Sequence, residues 1–169
     1  APDSLWRPMT QHKMLLQNHP KHILKAEGCF MINEDGDRIL DGTAGLWCVN
    51  VGHGRKELAE VAKAQMEKLA YVIPVMTCDP AVELSAKMLE KLGMEKGHVY
   101  FTSSGSEANE TAVKIARAYH KRSGNQTKYK IISRRGSYHG SLGITQWLGG
   151  YGGLGSRTDF EPAVPGMVY

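Results

Sequence analysis

The sequence has few cysteines, no block of like charge and no long apolar run. Its three cysteines form no C-x-x-C pair, which argues against a disulfide framework or a zinc cage and favours a reducing compartment. Lysine and arginine number 21 against 17 acidic residues and are scattered along the chain, so the sequence carries no electrostatic footprint for nucleic acid. We expect a protein with no metal site and no nucleic-acid partner.

A membrane helix needs about 18 consecutive apolar residues, and no stretch of the sequence approaches that length. The first residues also lack the basic and apolar regions of a signal peptide. We therefore expect a cytoplasmic protein that does not bind a membrane. The 169 residues, of which 41% are hydrophobic and 22% charged, have the size and composition of one globular domain.

Turn residues and hydrophobic periodicity predict an α/β chain. A D-G turn between two apolar runs predicts a β-hairpin over residues 29–40, after a polar and irregular segment over 1–26. Strands are predicted at 98–102 and 129–133 because both are short apolar runs. Apolar residues at helical spacing predict helices at 56–71, 80–92 and 107–122, with a shorter one at 141–148. Strand, helix and strand in this order indicate a βαβ unit of a parallel sheet.

The turn at residues 103–106 joins a predicted strand to a predicted helix. A helix N-terminus offers unpaired N–H groups and the positive end of the helix dipole, which together bind anions. Gly105 lets the backbone approach a phosphate, and Ser106 adds a hydroxyl donor. Either this turn binds a phosphate group, or its serines only cap the helix, as the S-x-x-E spacing of Ser104 and Glu107 allows.

A second polar loop, residues 136–140, follows the next predicted strand. Ligands of parallel α/β sheets bind beyond the carboxyl ends of the strands, so this loop is expected at the same edge as the turn at 103–106. Tyr138 either stacks on a flat ring, a contact of about 1 kcal/mol beyond burial, or packs as an ordinary loop tyrosine. His139 is given no role, because a lone loop histidine is more often structural.

Trp47 lies in a glycine-rich segment, residues 41–54. An indole flanked by glycines suits a recognition surface, and the alternative is that it is anchored in the core. Residues 150–155 match the G-x-G-x-x-G pattern, but they follow a predicted helix instead of a strand. The pattern indicates a dinucleotide site only between a strand and a helix, so we expect a loop there and no dinucleotide.

Three collinear segments resemble class III aminotransferases, whose cofactor is pyridoxal 5′-phosphate (PLP). They are residues 41–54 with G-L-W, residues 101–110 with S-G-S-E-A-N, and residues 137–140, S-Y-H-G. The sequence is most similar to the pyruvate-dependent ω-amino acid and amine transaminases. The resemblance implies the N-terminal portion of the α/β architecture of fold type I. Residues 1–70 would be the N-terminal segment of the small domain, and residues 71–169 the first part of the PLP-binding large domain with its parallel or mixed sheet.

The resemblance also implies a role for four residues. Gly105 and Ser106 would hold the cofactor phosphate, Tyr138 would stack on the pyridine ring, and Trp47 would line the substrate pocket. The implied activity is the transfer of an amino group from an ω-amino acid or amine, such as β-alanine or taurine, to pyruvate or another keto acid. The lysine that forms the Schiff base is expected beyond residue 169, in a missing C-terminal portion or a companion chain, so no catalytic residue is assigned here.

Two alternatives remain at the level of the sequence. A truncated relative could be a non-catalytic fragment that binds a phosphorylated ligand or a partner surface. The related mutases and racemases would share the fold but not the transfer to a keto acid. The resemblance further implies a homo-oligomer with active sites at the subunit interface, near Pro74 and Val75, where relatives often carry aromatic residues.

Overall fold

The computed structural model of the chain describes residues 4–8, 10–150 and 157–168. Two compact units divide the chain, Ala1–Leu84 and Ser85–Tyr169. The assignment of residues 1–70 and 71–169 to a small and a large domain stays a prediction. Apart from Gly150, the G-x-G-x-x-G segment at 150–155 lies outside the described residues.

The first unit contains a three-stranded antiparallel sheet. Its strands are β1 (Ile23–Glu27), β2 (Phe30–Asn33) and β3 (Arg38–Leu40), in the order β1-β2-β3. The predicted hairpin is confirmed as β2 and β3, which pair from Phe30 opposite Leu40. Strand β1 was not predicted, because four of its five residues are exposed and its sequence does not alternate between apolar and polar.

The helices follow the predicted periodicity closely. A single turn α1 (His12–Leu15) precedes the sheet, and a single turn α2 (Ala44–Trp47) follows it. Helix α3 (Lys56–Lys68) ends three residues before the predicted limit at 71, and α4 (Asp79–Lys91) ends before Gly93, whose φ is +65°. No residue of α3 or α4 is buried. Among the described residues, no helix is long and apolar enough to cross a membrane.

The second unit alternates helices with short parallel strands. Helix α5 (Gly105–Arg122) is followed by β4 (Ile131–Ile132), α6 (Gly143–Leu148), a 3-10 turn (Arg157–Phe160) and β5 (Met167–Val168). Strands β4 and β5 pair in parallel, with Ile131 opposite Met167. The connection through α6 has β-α-β order, but it is not the predicted unit, which combined a strand at 98–102, the helix at 107–122 and a strand at 129–133.

The predicted strand at 98–102 is wrong, because no strand forms there in the described part of the chain. An apolar run supplies strand propensity, but a strand exists only where a neighbouring segment completes its hydrogen-bond ladder. Strand β4 is shorter than the predicted 129–133 for the same reason, since only two of its residues pair with β5.

The core of the second unit lies where α6 contacts α5. Its buried apolar residues are Val113 on α5 and Trp147 and Leu148 on α6. Thr145, also on α6, is fully buried. Helix α6 is therefore held by packing, and the loop before it is fixed relative to the N-terminal half of α5.

Candidate functional site

The N-terminus of α5 is capped as its sequence predicts. Ser104 is the N-cap residue, and its Oγ accepts a hydrogen bond from the backbone N–H of Glu107 at 3.2 Å. The carboxylate of Glu107 accepts one from the N–H of Ser103 at 2.9 Å, one residue before the position of a standard capping box. Capping therefore occupies Ser104 and Glu107, and leaves Gly105 and Ser106 for another partner.

The first two N–H groups of α5 remain available for an anion. Among the described residues, no acceptor bonds the N–H groups of Gly105 and Ser106. A Cβ built on Gly105 would meet no atom within 4 Å, so open space lies beside this backbone. Unpaired N–H groups and the positive helix dipole at the start of an 18-residue helix favour a phosphate there.

One face of α5 binds the loop that contains Tyr138. Residues 106, 109 and 110 lie on the same side of the helix, since they are three and four positions apart. Ser106 Oγ accepts from the N–H of Ser141 at 3.1 Å, and Asn109 Nδ2 donates to the carbonyl of His139 at 2.8 Å. A third hydrogen bond joins the N–H of Ile144 to Glu110 Oε1 at 2.9 Å. The loop after β4 is thus attached to the first turns of α5.

Gly140 allows this close approach. It is buried, and its φ is +136°, in the region that favours glycine. A Cβ at this position would lie 2.6 Å from both Ser106 Oγ and Thr145 Oγ1. Only glycine therefore lets the loop reach the helix.

Tyr138 lies on the solvent side of this loop. Its side chain is 53% exposed, so it is not packed in the core. Its neighbours are held in place, because Ser137 Oγ donates to the carbonyl of Arg134 at 2.5 Å and lies 3.0 Å from His139 Nε2. His139 takes part in this local network, which is the structural role expected of a loop histidine. The exposed ring of Tyr138 is available for stacking.

Trp47 is in the other compact unit, on a strained turn. Its side chain is 76% exposed, so it is not a core anchor. Turn α2 is left-handed: φ is positive at Ala44, Gly45, Leu46 and Trp47. Left-handed backbone costs about 1–2 kcal/mol for each non-glycine residue. The sequence predicted a glycine-rich loop here and not this conformation.

A buried carboxylate supports the turn. Asp41 Oδ2 accepts from the N–H of Gly45 at 2.7 Å and lies 2.8 Å from His53 Nε2, which donates to it. Asp41 Oδ1 accepts from the N–H of Thr43 at 3.3 Å and from its hydroxyl at 3.2 Å. The side chain of Asp41 is only 4% exposed, and the donors of Thr43, Gly45 and His53 replace the water that burial removes.

These donors favour the ionised form of Asp41. The hydrogen bond from His53 lowers the pKa of the carboxyl below its ordinary value, and desolvation partly opposes this. The N–H of Gly45 and the two donors of Thr43 lower the pKa further. Sequence reasoning assigned no role to Asp41 or His53, although the D-x-T pattern and the glycine four residues after Asp41 are local signs of such a turn.

Comparison with known proteins identifies the family. Residues 14–168 match the family described as aminotransferase class-III. A putrescine–pyruvate aminotransferase of Pseudomonas aeruginosa is 41% identical over 164 residues, which cover 96% of this chain and 36% of that protein. The chain thus spans about a third of the length of such relatives.

Solved structures agree with the sequence comparison. A thermostable (S)-enantioselective omega-transaminase from Thermomicrobium roseum superposes with a TM-score of 0.87 at 40% identity, over 95% of this chain and 36% of that one. A PLP-bound aminotransferase mutant from Vibrio fluvialis gives a TM-score of 0.89 at 30% identity, over 98% and 36%. The expected α/β architecture of fold type I is confirmed, and the chain belongs to the class III aminotransferase family.

Proposed function

We propose that the protein carrying this chain is a PLP-dependent aminotransferase that moves an amino group from an ω-amino acid or amine to pyruvate. The observation that carries the proposal is the N-terminus of α5, where two adjacent N–H groups bond no acceptor among the described residues. Family membership supports the reaction class. The putrescine–pyruvate relative supports an amine donor and pyruvate as acceptor.

The residues at this helix end fit the phosphate of PLP. Gly105 and Ser106 supply two N–H donors, and open space beside Gly105 leaves room for phosphate oxygens. The hydroxyl of Ser106 accepts from Ser141 but donates to none of the described residues, so its hydrogen is free for an anion. Three donors at the positive end of a helix dipole suit a doubly charged group.

Tyr138 is proposed as the residue that stacks on the pyridine ring. Its exposed ring and its attachment to the first turns of α5, through the loop, support that role. When bound, PLP supplies the electron sink for amino transfer. The residues of this chain bind and orient the cofactor, and Trp47 is proposed to contact the donor substrate.

The wider properties of the protein are part of the same proposal. We take it to be a cytoplasmic homo-oligomer, as the reducing-compartment composition and the family resemblance support. Light scattering on the full-length protein tests the oligomeric state, and a clean monomer with full activity would contradict it.

The proposed phosphate site is tested by titrating the full-length protein with PLP. Ser106→Ala should weaken binding by about 1–2 kcal/mol, the contribution of a hydrogen bond to a charged group. Ser104→Ala is the matched control, because it removes a neighbouring hydroxyl that only caps α5. It should lower the free energy of unfolding by about 1 kcal/mol and leave the affinity nearly unchanged. Equal affinities of wild type and Ser106→Ala for PLP would show that the turn only caps α5.

A further inference from the structure

We propose that Asp41 is a positioning residue for substrate recognition. With His53 it holds residues 44–47 in the left-handed conformation, and so presents the Trp47 indole to the amine donor. The proposal rests on the proposed aminotransferase function, because the substrate contact of Trp47 belongs to that function. The hold on the turn itself can be measured without any substrate.

Within the described part of the chain, this turn is where non-glycine residues adopt a positive φ. Ala44, Leu46 and Trp47 are the only non-glycine residues with positive φ in the described ranges 4–8, 10–150 and 157–168. A single such residue is uncommon, and three within four positions need support from their surroundings. Strain of this kind tends to persist at functional sites.

The support comes from the carboxylate of Asp41. Its Oδ2 accepts a hydrogen bond from the N–H of Gly45, inside the turn. Its Oδ1 accepts hydrogen bonds from the N–H and the hydroxyl of Thr43, immediately before the turn. Both oxygens of an ionised carboxylate accept hydrogen bonds, and neither carries a donor. An asparagine in this place would aim its NH₂ group at one of these donors, so charge and acceptor geometry are both required.

The carboxylate is in turn fixed to the β-sheet. His53 donates to Asp41 Oδ2, and the backbone of His53 exchanges two hydrogen bonds with Gly28, at 2.8 and 3.1 Å. The N–H of Asp41 donates to the carbonyl of Cys29 at 2.8 Å. Gly28 and Cys29 form the connection between β1 and β2. The turn that carries Trp47 is therefore linked to the β1–β2 connection through the backbone N–H of Asp41 and through His53, which contacts the Asp41 carboxylate.

The result of this arrangement is an exposed indole on a backbone that is not free to relax. Large exposed aromatic groups are typical recognition residues when their conformation is fixed before binding. Because the side chain of Trp47 is exposed, the hydrogen bonds of Asp41 to the turn do not serve to bury the ring. They serve to hold the ring outward.

Amide hydrogen exchange on the full-length protein tests the hold on the turn. Asp41→Asn should accelerate exchange over residues 44–49 by about tenfold or more. Changes in α3 should be smaller, because the substitution allows the turn to open locally while the rest of the unit stays folded. Glu57→Gln is the matched control, because Glu57 also pairs with a basic residue, Arg55, but is exposed on the same unit. It should leave exchange at 44–49 unchanged. Equal exchange in wild type and Asp41→Asn would overturn the proposal.

A rescue variant separates conformation from general damage. Ala44→Gly favours the positive φ at position 44, so it should slow exchange in the wild-type background and reverse most of the acceleration in Asp41→Asn. This prediction holds even where Asp41→Asn folds poorly, since Ala44→Gly alone leaves the network intact. Faster exchange at 44–49 in Ala44→Gly would contradict the proposal.

Steady-state kinetics test the link to the substrate. Asp41→Asn and Trp47→Ala should each raise KM for the amine donor about tenfold while kcat changes less than about twofold, and the double variant should be no worse than either alone, because the two residues act as one unit. If the two increases in KM multiply in the double variant, Asp41 does not act through Trp47. Absence of amino transfer by the wild type would refute the proposed function instead. The exchange experiment would still show whether Asp41 stabilises the turn at residues 44–47.

Discussion

Ser106 Oγ accepts a hydrogen bond from the backbone N–H of Ser141 at 3.1 Å, which joins the first turn of α5 to the loop carrying Tyr138. The hydroxyl hydrogen of Ser106 remains available for a second partner. One side chain thus combines two roles, fixing the loop and offering a donor beside the N–H groups of Gly105 and Ser106. Variants at other positions are needed to separate these roles.

Gly105→Ala should separate cofactor binding from stability. A Cβ at this position meets nothing within 4 Å among the described residues, and alanine loses less backbone conformational freedom than glycine when it becomes ordered. The variant should therefore unfold at an equal or higher denaturant concentration. Its affinity for PLP should fall at least tenfold, since the methyl group occupies the space proposed for phosphate.

The comparison ligand for this variant is pyridoxal, which lacks the phosphate. Wild type should bind PLP far more tightly than pyridoxal, and Gly105→Ala should lose most of that preference. An unchanged preference would mean that the phosphate binds elsewhere.

Gly140→Ala should destabilise the fold by about 1–3 kcal/mol, the usual cost of overpacking. The added Cβ would lie 2.6 Å from Ser106 Oγ and from Thr145 Oγ1, and alanine rarely adopts a φ of +136°. Denaturant unfolding of the full-length protein measures the change. Gly143→Ala adds the same atom nearby, with Glu110 Oε1 at 3.8 Å as its one close neighbour, and should be neutral. Comparable losses for both variants would argue against a specific contact at Gly140.

Tyr138→Phe should bind PLP nearly as well as wild type, and Tyr138→Ala should bind about fivefold more weakly. The reason is that stacking depends on the ring and contributes about 1 kcal/mol. The absorbance of bound PLP during titration gives both affinities. If phenylalanine is as harmful as alanine, the hydroxyl makes the contact and stacking is the wrong explanation.

Asp41 should contribute stability that is lost in acid. Its pKa is lowered in the folded state, mainly by His53, so the ionised carboxylate stabilises the fold above the unfolded pKa of about 3.9. That contribution disappears as pH falls below this value and Asp41 becomes protonated. Asp41→Asn should therefore show a flatter dependence of stability on pH than wild type as the pH falls below about 4.

The control for the acid limb is Glu57→Gln. The pKa of Glu57 is also lowered, by its ion pair with Arg55, but the side chain is exposed and solvent weakens such a pair. Its replacement should change the pH dependence less than Asp41→Asn does. If the free energy of unfolding falls equally in acid for wild type and Asp41→Asn, the buried carboxylate does not have the proposed role.

Elements specified by neighbouring residues were predictable from the sequence. The D-G turn predicted the β2–β3 hairpin, and the cap at Ser104 with its apolar spacing predicted α5 to within two residues of its observed start. Both signals act over a few positions. The family motifs named Gly105, Ser106, Tyr138 and Trp47 as candidates, and the structure describes each of them.

Features that depend on distant contacts were not predictable. Asn109 meets the carbonyl of His139 across 30 positions, and Glu110 meets Ile144 across 34, so no local spacing reveals the attachment of the loop to α5. The left-handed turn depends on His53, which lies 12 residues from Asp41. The apolar run at 98–102 failed as a strand because propensity cannot supply a hydrogen-bonding neighbour.

The most direct test of the central claim follows nitrogen from donor to acceptor. The full-length protein is incubated with PLP, pyruvate and putrescine or β-alanine labelled with nitrogen-15, and alanine is analysed by mass spectrometry. We predict labelled alanine in proportion to the donor consumed, and none when PLP or protein is omitted. Unlabelled alanine alone, or no alanine at all from a protein that binds PLP, would contradict the proposed aminotransferase function.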